Sequence, residues 1–115
     1  MHLAVYGTLR KEEYNDRHLK GANYKGTYRI RGWELRTNRC FPYAIPNENK
    51  KIVVEVYEID FITLNNIDTI EGFPLHFTRE LINIADISAW MYVPRYPSIV
   101  WAETSEIESG DWCEQ

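Results

Sequence analysis

The spacing of apolar positions changes several times along the chain, and each change marks an element. Residues 2–6, His-Leu-Ala-Val-Tyr, form a short, mostly apolar run closed by Gly7, which reads as a strand entering a turn. Residues 10–20 are charged, with Leu9, Tyr14 and Leu19 as sparse apolar points around them; a loop or one or two helical turns fits. Residues 22–36 alternate. Tyr24, Gly26, Tyr28 and Ile30 fall on one face, and Lys25, Thr27, Arg29 and Arg31 on the other, the period of a half-buried strand. The phase slips at Gly32, after which Trp33 and Leu35 carry the apolar face. A glycine at such a slip predicts a bulge or bend, which the corners of a small barrel require.

Phe41 to Pro46 reads as an extended segment and Asn47 to Lys51 as a polar turn. Residues 52–59, Ile-Val-Val-Glu-Val-Tyr-Glu-Ile, have the strongest strand character, being rich in β-branched side chains. Asp60 then stands where a helix N-cap is expected. Phe61, Leu64, Ile67 and Ile70 follow at steps of three as the apolar stripe of a short helix, which Gly72 and Pro74 close. Residues 77–84 and 88–93 predict two further strands with a turn near Ala85-Asp86. From Pro94 onward the chain is rich in Pro, Ser and Glu, with Trp101 and Trp112 as expected anchors. These elements predict an α+β fold: a small, mostly antiparallel β-barrel or strongly curled sheet with one or two short helices.

Composition narrows the class. At 115 residues, 44% hydrophobic and 26% charged, the chain fits one ordered domain, residues 1–115. No apolar run is long enough to span a membrane, and the start lacks the pattern of a secretory signal. The two cysteines, Cys40 and Cys113, are too few for a disulfide framework, so a cytoplasmic location is the expectation. Net charge is −4, but residues 1–51 hold eleven Lys/Arg against five Asp/Glu, and residues 52–115 hold two against twelve. Either the halves pair in space, or Lys25, Arg29, Arg31, Arg36 and Arg39, with Tyr24 and Tyr28, form a basic patch for nucleic acid. Interleaved strands and the acidic balance favour pairing, and no nucleic-acid partner is expected.

Glu71 is the first candidate for chemistry. It lies four residues after Ile67 on the same side of the helix, in its last turn. Apolar surroundings and the negative helix end both disfavour its charge and raise its pKa, which suits a general base near neutral pH. A solvated surface glutamate is the alternative. The second candidate is Tyr6-Gly7-Thr8-Leu9. A strand end followed by a glycine turn can aim several backbone N–H groups at a carboxylate or an oxyanion; a plain turn is the alternative. His2, His18 and His76 lack metal-ligand spacing, and no metal is expected. Cys40 has Arg39 beside it but no identifiable catalytic partner. Arg79 pairs either with a carboxylate in the site or with a structural acid.

Taken together, Val5–Arg10 (V-Y-G-T-L-R), Val56–Asp60 (V-Y-E-I-D), Ile67–Pro74 (I-D-T-I-E-G-F-P), Phe77–Arg79 (F-T-R) and Ser109–Trp112 (S-G-D-W) resemble the γ-glutamylcyclotransferase-like family, which includes AIG2-like proteins. The resemblance implies a small β-barrel with short helices. It also implies a cofactor-free enzyme that cyclises a γ-glutamyl amine or peptide to 5-oxoproline and releases the attached amine. Glu71 corresponds to the family's acid/base, and Tyr6, Gly7, Thr8 and Leu9 to the loop that cradles the glutamyl part. A catalytically inactive binding or regulatory module on the same fold is the other reading. Two positions depart from the family pattern: Phe77 where many members carry Tyr, and Val54 where many carry Gly. The first removes a hydroxyl that could bind substrate, and the second is expected to narrow a cavity wall; the chain is also short for the family, which leaves little for a lid over the site. The oligomeric state, the roles of Cys40, Cys113 and Arg79, and the identity of the released amine stay open.

Overall fold

The computed structural model describes residues 1–115. Its elements are β1 (His2–Val5), β2 (Asn23–Thr37), β3 (Pro42–Glu58), α1 (Phe61–Glu71), β4 (Phe77–Ile84), β5 (Ile87–Pro94), α2 (Pro97–Glu103) and β6 (Ser105–Glu106). A 3-10 turn, Asp16–Leu19, lies in the charged stretch after β1. The six strands form one sheet in the order β4-β5-β1-β3-β2-β6. All pairs are antiparallel except β1 with β5, so the sheet is mixed, and it curls into a half-barrel. No helix is long and apolar enough to cross a membrane.

β1 lies inside the sheet and is buried on both faces, which explains its unbroken apolar run. Ala4, and Tyr6 just beyond the strand, join one core with Leu35, Val54 and Met91. Leu3 and Val5 join a second core with Tyr57, Leu64 and Ile67, which seats α1 against the other face. Asp60 caps the helix as expected, accepting from the Thr63 N–H at 2.8 Å. Gly72 ends it in the left-handed region, with φ of 66°.

Three expectations need correction. First, no turn separates the segment beginning at Phe41 from the one beginning at Ile52, because β3 runs unbroken from Pro42 to Glu58. The polar residues between them form a wide bulge instead. Arg31 pairs with Lys51 but Gly32 with Asn47, so Glu48, Asn49 and Lys50 have no opposite residue. Gly32, at φ of 103°, makes the bend. Second, Tyr24 does not share a face with Tyr28 and Ile30. Another slip, between Tyr24 and Gly26, turns it over. Its ring lies 5.6 Å from that of Tyr57, while Tyr28 and Ile30 pack on the first core. Third, only Leu64 and Ile67 of the α1 stripe are buried; Phe61 and Ile70 are exposed. Steps of three fall short of the 3.6-residue turn, so the stripe drifts around the helix and its ends leave the core.

Candidate active site

The strand β1 hands over to the turn Tyr6–Leu9. Tyr6 is buried, and its hydroxyl donates to the Tyr92 carbonyl at 2.9 Å. At Gly7 a Cβ would overlap Cγ of Pro42, so only glycine lets the turn pass β3 this closely. The Gly7 carbonyl accepts from the Arg10 N–H at 2.9 Å, and the Thr8 carbonyl from the Asn15 N–H at 2.7 Å. The Asn15 side chain also donates to the Thr8 hydroxyl at 3.0 Å. These acceptors of the turn are engaged, whereas the N–H groups of Gly7, Thr8 and Leu9 donate to no protein acceptor. Successive free N–H groups are what a carboxylate or a developing oxyanion needs.

The far end of the turn is anchored by Arg10. Its Nε donates to Glu55 at 2.8 Å and its Nη1 to Asp111 at 2.6 Å. Glu55 also accepts from the Lys11 N–H at 2.8 Å and the Tyr57 hydroxyl at 2.9 Å. Two carboxylates around one buried guanidinium compensate its desolvation. They also join the basic first half of the chain to the acidic second half, as does Lys50 with Glu106 at 3.0 Å. Arg36 is buried, bound to Glu34 and Thr104 and lying against the Trp101 ring. Trp101 is therefore a half-exposed cover on Arg36, and Trp112 is the anchor that packs on the core.

Glu71 closes α1, partly buried and without a hydrogen-bonding or ionic partner for its carboxyl. Of the two expected causes, burial carries the shift, and it raises the carboxyl to about 7. A cavity of about 800 Å³ is lined by Tyr6, Gly7, Thr8 and Leu9 together with Glu71. The two candidate groups, more than sixty residues apart, therefore meet at one cavity. Burial first, and the Glu71 charge second, push the Tyr6 phenol well above its ordinary range, so it stays a protonated donor.

Arg79 takes the structural role. It forms two parallel bonds to Asp68, at 2.9 and 3.0 Å, between the rings of Phe73 and Trp90. Asp68 also accepts from the Tyr92 hydroxyl at 2.5 Å. This cluster fixes the last turn of α1, and with it Glu71, against β5. Sequence reasoning missed Asp68, Tyr92, Arg10 and Glu55. The available signals were the Asp three residues before Glu71 and the scarcity of basic residues after position 51.

Phe77 lines the cavity and stacks parallel to Tyr43 with a sideways offset, ring centres 5.6 Å apart. Val54 is fully buried in the core and does not line the cavity, so it narrows no wall. The chain does supply a cover: Tyr96, Ile99 and Val100, around the start of α2, line one side. His76 lines the cavity, while His2 and His18 do not. No three His, Cys, Asp or Glu side chains gather to hold a metal ion. Cys40 and Cys113 are free and exposed, and neither lines the cavity.

Residues 3–114 match the model of the family described as gamma-glutamyl cyclotransferase, AIG2-like. The gamma-glutamylcyclotransferase family protein YtfP of Escherichia coli is 34% identical over 115 residues, covering 100% of this chain and 98% of that protein. Its solution structure superposes with a TM-score of 0.78 at 34% identity, over 97% of this chain and 96% of that one. An uncharacterised protein from Pyrococcus horikoshii superposes with a TM-score of 0.82 at 32% identity, covering 99% of this chain and 91% of that one. With the half-barrel, the turn after β1 and the end of α1 all in place, the chain belongs to the gamma-glutamyl cyclotransferase, AIG2-like family.

Proposed function

We propose that the protein is a γ-glutamyl cyclotransferase that converts a γ-glutamyl amine or peptide to 5-oxoproline, with Glu71 as general acid and base. The observation that carries this reading is the shared cavity: an unpartnered carboxyl raised to about 7 lines the same space as a turn with three free N–H groups.

The reaction needs what these groups offer. The substrate's α-ammonium gives a proton to Glu71 and becomes a nucleophile. Its nitrogen forms a bond to the γ-carbonyl carbon of the same molecule, and the carbonyl oxygen gains negative charge. N–H donors of Gly7, Thr8 and Leu9 are suited to hold that charge or the glutamyl carboxylate. As the tetrahedral centre collapses, the ring nitrogen sheds its second proton to water. Protonated Glu71 supplies a proton to the departing nitrogen while the carbon–nitrogen bond breaks. Products are 5-oxoproline and the amine, which takes up the remaining proton in solution. Attack within one bound, folded-back molecule lowers the entropic part of the barrier.

The test is release of 5-oxoproline from a panel of γ-glutamyl amines and dipeptides, with Glu71→Gln alongside. Product from the wild type and a loss of about 10²-fold or more in the variant is expected. No product from any substrate with the wild type folded would overturn the enzyme reading in favour of a binding module.

A further inference from the structure

We infer that the amine released by this site is apolar, aryl or alkyl, and carries no carboxylate of its own. This rests on the cyclotransferase reading and names the class of substrate within it.

The cavity wall divides by chemistry. Free backbone donors gather at the turn, in the N–H groups of Gly7, Thr8 and Leu9, with the side chains of Thr8 and Asn15 beside them; Thr69, Glu71, His76 and the tyrosine hydroxyls are the other polar groups of the lining. The donors of the turn suit the carboxylate and carbonyl of the glutamyl part. Much of the remaining wall is apolar or aromatic: Phe41, Tyr43, Phe77, Tyr96, Ile99 and Val100. Phe41, Tyr96 and Ile99 are each more than half exposed, at 55%, 59% and 57%. Exposed apolar side chains gathered around one cavity mark a surface that a ligand covers.

Charge points the same way. No Lys or Arg lines the cavity, and its one carboxylate is Glu71. Arg95, beside Tyr96, is exposed and bound to the Pro74 carbonyl at 3.1 Å and the Tyr96 hydroxyl at 3.3 Å; it is not part of the lining. A carboxylate on the released amine would therefore leave water with no Lys or Arg to meet it and only the exposed His76 imidazole in the lining, beside the Glu71 charge. A ring or alkyl chain would instead gain contact with the stacked Tyr43–Phe77 pair.

Two probes differing by one carboxylate test this: γ-glutamyl-phenethylamide and γ-glutamyl-phenylalanine. With 5-oxoproline as the readout, kcat/KM is expected to favour the amide by about tenfold or more. Ile99→Arg, on an exposed position of α2, is expected to shrink or reverse that preference. Equal or faster turnover of γ-glutamyl-phenylalanine by the wild type would overturn the inference and leave the cyclotransferase standing. If neither probe yields product, the enzyme reading is decided by the full panel of γ-glutamyl amines and dipeptides. Calorimetric titration of both probes into Glu71→Gln then decides the subsite: tighter binding of the amide supports it, and equal or absent binding overturns it.

Discussion

The ring of Pro42 fills the space that a side chain on Gly7 would need. The first residue of β3 is thereby set against the turn that follows β1. Gly7→Ala must push the two apart, and overpacking of this kind costs about 1–3 kcal/mol. Chemical denaturation is expected to show that loss, with partial recovery in the Gly7→Ala, Pro42→Ala double variant. A single variant as stable as the wild type would mean that the contact is slack.

On the proposed mechanism, Glu71 would make stability and activity respond oppositely to pH. Its carboxyl is raised in the folded protein to about 7 from an ordinary value of 4.5. Between those values the folded state holds a proton that the unfolded state has lost. This contribution to stability is therefore full below about 4.5 and is lost as pH rises to about 7. Glu71→Gln removes the effect, so the variant is expected to exceed the wild type in stability at pH 8 by at most about 3 kcal/mol, and by little at pH 4. Catalysis by the wild type should rise with pH through the same region, because the free base is the ionised form. Denaturation curves and a kcat/KM profile check the two halves separately.

Asp68 is held ionised. Burial raises its carboxyl, but the Arg79 guanidinium and the Tyr92 hydroxyl outweigh that and bring it below its ordinary value of 3.8. Its contribution is present above that value and is lost as pH falls through the lower folded one. Asp68→Asn strips the countercharge from a partly buried guanidinium, and a loss of about 2–4 kcal/mol at pH 7 is expected. The loss should fade in acid, and 5-oxoproline release should fall because the last turn of α1 loosens. Equal stability at pH 7 would show that Arg79 finds another partner.

Arg10 joins the turn to the chain end through Glu55 and Asp111. Arg10→Met leaves the buried Glu55 uncompensated, a cost of about 3–5 kcal/mol. The Val53 N–H donates to the Gly110 carbonyl at 2.8 Å, so its hydrogen exchange reports docking of the C-terminal segment. Faster exchange at Val53 is expected in the variant. Unchanged exchange would mean that Trp112, whose Nε1 donates to Glu13 at 2.9 Å, holds the segment alone.

Legibility in the sequence depended on how local each signal was. The Asp60 cap and the Gly72 stop involve neighbours along the chain, and both were readable. The inversion of Tyr24 was not, because alternation assumes regular pairing and the slip at Gly26 is fixed by β3. The same holds for Asn47 to Lys51, whose polar character signals a turn unless a partner strand continues past it. Glu71 and the Tyr6–Leu9 turn could be singled out from their positions, but the Asp68, Arg79 and Tyr92 cluster behind Glu71 could not.

The types of β1, β2, β4, β5 and α1, the caps of α1 and the two short segments able to carry chemistry were written in residue order, whereas α2 and the continuity of β3 were not. The former follow from side-chain period and backbone preference, which act over a few residues. Folding was needed to bring Glu71 and the turn to one cavity, to give Arg79 its structural partner and to lay the start of α2 along one side. Those outcomes rest on contacts between distant segments and on exclusion of water from particular groups. Both are set when the curled sheet closes around its cores, and neither is encoded in local spacing.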